Sequence, residues 1–94
     1  MGEVEAFEIE GLKCYFPSAD HYPHHFEVLR RGQYVVRVFF LRTTRKRGLS
    51  WEYKMQMGGA FSRTDQEALY EMVMRHKRHL LAEFNRKVCP ERRR

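Results

Sequence analysis

Between residues 49 and 57 every second position is apolar: Leu49, Trp51, Tyr53, Met55 and Met57 alternate with Ser50, Glu52, Lys54 and Gln56. Side chains repeat every two residues along a strand, so the segment is predicted to be a half-buried antiparallel strand. Gly58-Gly59 ends it. The same period runs through residues 7–16, where Phe7 and Ile9 are followed by Leu12, Cys14 and Phe16, with a kink or tight turn expected near Gly11. Residues 25–30 and 33–41 are expected to form a hairpin around Arg31-Gly32. Phe26 and Val28 share one side of its first arm. Tyr34, Val36, Val38 and Phe40 share one side of its second. Val35 and Phe39 on the opposite side point to an inner strand with partial cover on both faces.

After residue 64 the period changes. Leu69, Met72, Val73, His76, Leu80, Phe84 and Val88 recur at steps of three and four, which is one stripe of a helix. Thr64-Asp65-Gln66-Glu67 has the form of a capping box at its start, and Pro90 stops it. Glu71–Arg75 and Glu83–Lys87 are spaced to pair along its surface. From 64 to 88 such a helix is about 37 Å long at 1.5 Å per residue. That exceeds the width of a small sheet, so its end either projects or is covered by a second subunit. The predicted fold is α+β: an antiparallel, twisted sheet of three to four strands with one long C-terminal helix on a face. All of it belongs to one domain spanning 1–94, with a frayed basic tail at 90–94.

Composition narrows the class. Hydrophobic residues make up 43% of the 94 and aromatics 14%, too apolar for a disordered chain even with 32% charged residues. The net charge of +6 is unevenly spread. Residues 1–27 sum to −5 and residues 28–94 to +11. The positive part attracts polyanions or acidic partners. Cys14 and Cys89 form no motif, and Cys14 falls at an inward strand position suited to a small core residue. The acidic start lacks the form of a signal peptide, and no apolar run approaches the roughly 20 residues of a membrane span. A cytoplasmic protein without cofactor, not in a membrane, is the expectation.

Four sites carry candidate chemistry. The first is the basic loop at 42–48, with Arg42, Arg45, Lys46 and Arg47, joined in charge by Arg75 and Arg78 of the helix. Such clusters grip the phosphate backbone of RNA or DNA without reading bases. The second is the segment Asp20-His21-Tyr22-Pro23-His24-His25-Phe26-Glu27-Val28. Its His21 and His25 are candidates for the base and acid of 2′-hydroxyl attack on RNA, because imidazole titrates near neutrality. The third is a weak metal set, His21, His24, His25 and His76, of suitable ligand type but without established spacing. The last is a set of methionines. Met55 and Met72 are expected in the core, whereas an exposed Met74 would mark a contact.

The histidine segment, followed by a hairpin, a further strand and a long final helix, resembles the small bacterial domain-of-unknown-function family 4160, which carries a His-x-Pro-Pro-His-Phe-His-Val segment. His21, Pro23, His25, Phe26 and Val28 stand at matching positions, while His24 replaces the second proline and Glu27 the last histidine. The resemblance implies a two-component, toxin–antitoxin-like arrangement with a small protein partner. The expectation is therefore a small interaction module that binds nucleic acid or a protein partner, with a homodimer also allowed. A metal-independent ribonuclease and a zinc- or nickel-binding domain are the alternatives.

Overall fold

The computed structural model describes residues 2–17 and 24–88. Five strands follow one another in space as in sequence: β1 (Gly2–Glu3), β2 (Lys13–Phe16), β3 (Phe26–Arg30), β4 (Tyr34–Val38) and β5 (Trp51–Gln56), every neighbouring pair antiparallel. One helix, α1 (Arg63–Lys87), covers one face. The α+β class is as expected, but the sheet has five strands rather than three or four. The additional strand is β1, whose two residues pair with Tyr15 and Phe16. Two residues are too few to carry a visible alternation.

Strand polarity explains the layering. Cys14 and Phe16 of β2, Phe26 and Val28 of β3, and Tyr34, Val36 and Val38 of β4 all point toward α1 and are buried with Phe40, Phe61, Leu69, Val73, Leu80, Phe84 and Val88. At the far end of the sheet Phe16, Phe26, Phe40 and Phe84 pack as one aromatic group, with centroid separations of 6.0 to 6.4 Å. The hairpin turns as expected: Arg30 pairs with Tyr34, and Gly32 takes a positive φ of 76° that other residues resist.

Three expectations need correction. Residues 7–12 do not continue β2. Leu12 N–H donates to Ile9 C=O across a turn in which Gly11 has φ 85°, so Phe7, Ile9 and Leu12 lie against the core as a loop. The helix begins two residues earlier than the Thr64 box predicts. Ser62 is its N-cap, and its hydroxyl accepts the Asp65 N–H at 3.1 Å. Ser62 and Asp65 are spaced as Thr64 and Glu67 are, so either frame fits the sequence pattern.

The third correction concerns β5. Tyr53 is 36% exposed, Met55 52% and Met57 47%, so the predicted half-buried face ends at Trp51. A bulge lies beneath this change: Val36 pairs with Tyr53 but Val35 with Met55, leaving Lys54 as the extra residue. The bulge sends Met55 to the face away from α1, and Met55 is not in the core as expected. Met72 and Met74 are both half-buried.

The end of the long helix does not wait for a second subunit. The chain's own N-terminal segment covers it. Glu83, fully buried, accepts the N–H groups of Glu5 (2.8 Å) and Ala6 (2.9 Å) and pairs with Lys87, as the i,i+4 spacing predicted. Lys87 also donates to the Glu3 carbonyl. Lys87 holds the Glu5 carboxyl below its ordinary value, first by a hydrogen bond and then by its charge. α1 kinks at His76 (φ −120°, ψ 23°), whose ring lies 6.0 Å from that of Phe7.

Candidate nucleic-acid interface

The basic loop is a built structure. Its frame rests on two threonines. Thr43 is fully buried, donates its hydroxyl to Phe39 C=O (3.2 Å) and accepts Ser50 N–H (3.0 Å), joining the two ends of the loop. Thr44 exchanges backbone hydrogen bonds with Gly48, and its hydroxyl accepts Arg47 N–H at 3.0 Å. Gly48 closes this tip with φ 80°. Arg45, Lys46 and Arg47 are therefore held at the tip of a small hairpin, exposed. Arg42 lies over the Phe39 ring, 5.3 Å from its centroid.

A single contact joins loop to helix. Lys77 Nζ donates to the Thr43 carbonyl at 2.5 Å. The next residue, Arg78, is exposed and stands about 100° around α1 from Lys77, on its outward side. Arg75, exposed too, lies one turn before Arg78 and about 60° from it around the helix, toward His79 and Arg86. The structure thus sets Arg45, Lys46, Arg47 and Lys77 at one corner, while Arg42 lies over Phe39 on the face away from α1 and Arg75 and Arg78 share the outward side of the helix. Among the described residues, none of these cations forms an ion pair with an acid.

The histidines do not converge in this way. His21 lies outside the described residues. His24 and His25 are adjacent but face opposite sides: the His24 ring lies 4.4 Å from that of Phe84, toward α1, while the His25 ring lies 5.7 Å from that of Phe39, on the open face. His25 is 2% exposed, with its Nε2 4.0 Å from a Glu27 carboxylate oxygen. His76 packs on Phe7. No group of three or more His, Cys, Asp or Glu suited to a metal ion occurs among the described residues. Cys14 is a buried free thiol whose pKa burial pushes up to about 12, which removes it as a nucleophile at neutral pH. No described helix is long and apolar enough to cross a membrane.

Two polar networks escaped the sequence reading. Under the start of α1, Asp65 accepts Arg30 Nε (2.8 Å) and Nη2 (2.9 Å) and the Tyr34 hydroxyl (2.6 Å). Burial alone would raise the Asp65 pKa, but the hydrogen bonds from Arg30 and Tyr34 outweigh it and hold it below the ordinary value. On the opposite face Glu27, 2% exposed, accepts both hydrogen bonds of Lys54 at 3.1 Å. Tyr15 also bonds to Glu27, and its pKa is raised by burial first and by the Glu27 charge second. Beside them Arg37 pairs with Glu52 at 2.9 Å. The register puts Glu3, Tyr15, Glu27, Arg37 and Glu52 in one row across five strands. A charge every second residue is an ordinary strand pattern, so the sequence signals the row only once the register is known.

No family model, no curated protein and no solved structure matches this chain.

Proposed function

We propose that this chain is a small phosphate-backbone-binding module that engages nucleic acid through the corner formed by the 42–48 loop and the adjoining flank of α1. The observation that carries this reading is the Lys77–Thr43 hydrogen bond, which joins a helix cation to a loop whose exposed cations form no ion pair among the described residues. A loop already held by Thr43, Thr44 and Gly48 loses little conformational freedom when it binds. Backbone amides and side chains of this kind contact phosphate and sugar without sequence preference. The reading includes kinship with the family that the histidine segment resembles, and with it a small protein partner in a two-component arrangement.

The test is a titration of the untagged chain with labelled RNA and duplex DNA at two salt concentrations, with the endpoints run on a denaturing gel. Binding that weakens steeply with salt and leaves the strand intact is the expected result. Cleaved product that vanishes in His25→Ala would replace the binding reading with a nuclease one. Absence of binding at low salt would overturn it.

A further inference from the structure

The sheet face turned away from α1 has no helix across it among the described residues, and its surface is unlike the rest of the molecule. Leu29, Val35 and Met55 stand side by side on β3, β4 and β5 by register. Met57 follows two positions beyond Met55, and both methionines are about half exposed. Two shallow depressions flank Leu29. One, of about 460 Å³, is bounded by Gly11, Leu12, Lys13 and Arg31, and the other, of about 400 Å³, by Gly2, Glu3, Lys13 and Tyr15. Methionine is the unbranched, adaptable side chain suited to filling such hollows.

Most charges around this strip are already matched. Glu3 pairs with Lys13, Glu27 with Lys54 and Glu52 with Arg37, leaving Arg31 at the rim and Arg42 over the Phe39 ring without an ion pair among the described residues. The 42–48 corner is the reverse, cationic and unmatched. An acidic ligand is drawn to the unmatched corner. The sheet face, with most of its charges paired, presents a weaker field. Two copies of a chain at +6 repel one another over most of their surface, and this face, with its apolar strip between paired charges, is where repulsion is least.

We propose that the open face is a self-association surface, on which a second copy of this chain packs sheet to sheet about a two-fold axis, inserting Met55 and Met57 beside the partner's Leu29. Contact between like faces is the isologous arrangement usual for dimers. Edge-to-edge pairing through β5 is disfavoured instead, because the bulge and Lys54 blunt that edge. Five strands about 4.8 Å apart and five residues at about 3.4 Å each give a face of roughly 24 by 17 Å, or about 400 Å² in projection. A standard interface covers about 800 Å² per partner, so the dimer is a weak, concentration-dependent one.

Sedimentation velocity on the full chain, from micromolar to sub-millimolar concentration at moderate salt, tests this. The weight-average mass should climb toward that of two chains, and Met55→Lys should weaken association at least about tenfold while leaving thermal unfolding in place, because that side chain is over half exposed. Met57→Lys should act in the same direction. Leu41→Lys, which charges another exposed apolar residue (41% exposed), should leave association unchanged. A wild-type chain that remains monomeric at every concentration and salt overturns the proposal. So does association that survives Met55→Lys and Met57→Lys, or that is lost in Leu41→Lys alone.

Discussion

The 42–48 corner and the open sheet face both carry arginine and lysine, yet their cations do different work. On the sheet Lys54, Arg37 and Lys13 each face a carboxylate across the strands. At the corner Arg45, Lys46 and Arg47 face solvent from a frame built of backbone and threonine hydrogen bonds. A count of basic residues cannot separate the two. Pairing can: a cation already neutralised by its neighbour releases little on meeting a phosphate, whereas an unpaired one displaces counterions.

The largest expected effect tests that contrast directly. Replacing Arg45, Lys46 and Arg47 by alanine should lower nucleic-acid affinity on the order of a hundredfold at low salt and flatten the salt slope by about 2.7, whereas Arg37→Ala should change neither. Filter binding across a salt series reads both quantities. Next comes Asp65→Asn, which leaves the Arg30 and Tyr34 donors without their carboxylate and should destabilise the fold by about 2 kcal/mol at neutral pH. The folded Asp65 pKa lies below its ordinary value of 3.8, so the unfolded chain binds the proton more readily. Its stabilising contribution is therefore full above pH 3.8 and fades as pH falls from there through the folded value. Urea denaturation from pH 7 to pH 3 should show a shallower acid limb in the variant than in the wild type.

Lys54→Met should lower stability by about 1–2 kcal/mol, because it removes both hydrogen bonds to the buried Glu27 carboxylate, and should leave nucleic-acid affinity unchanged. Loss of affinity in that variant would show that the paired cations also bind. Gly48→Ala puts a side chain at φ 80° and should cost about 1–2 kcal/mol of loop order. It should weaken binding by about tenfold at most, with no change in salt slope, since no charge is removed. The smallest effect is the Arg37–Glu52 coupling. That pair is solvent-exposed on the Glu52 side, and a double-mutant cycle should return less than about 1 kcal/mol.

Periodicity made the hairpin and the helix legible. Phe26, Val28, Tyr34, Val36, Val38 and Phe40 all face the core as their alternation required, and Leu69, Val73, Leu80 and Phe84 form the inward stripe. What stayed hidden depended on partners distant in sequence. The β5 alternation is real, but a bulge and the absence of cover beyond Trp51 turn Met55 outward, and neither has a local signature. The cap frame was ambiguous between Ser62 and Thr64 because both carry a hydroxyl three residues before an acid. Asp65 settles it by reaching Arg30 and Tyr34 on the sheet. The basic residues of the corner were visible one by one. The tie between loop and helix was not, since the Lys77–Thr43 link spans 34 residues.

The clasp of Glu83 on the amides of Glu5 and Ala6 has a consequence for how the chain acquires its structure. The contact joins positions 78 and 77 residues apart. During synthesis the segment bearing Glu5 leaves the ribosome long before the turn of helix that holds it. β1 to β5 can assemble from neighbours in sequence, whereas the amides of Glu5 and Ala6 must wait for α1. The loop-closure entropy of this clasp is paid last, after the sheet and helix have formed. Variants at Glu83 should therefore act mainly on the unfolding rate, because a contact made after the transition state stabilises only the finished fold.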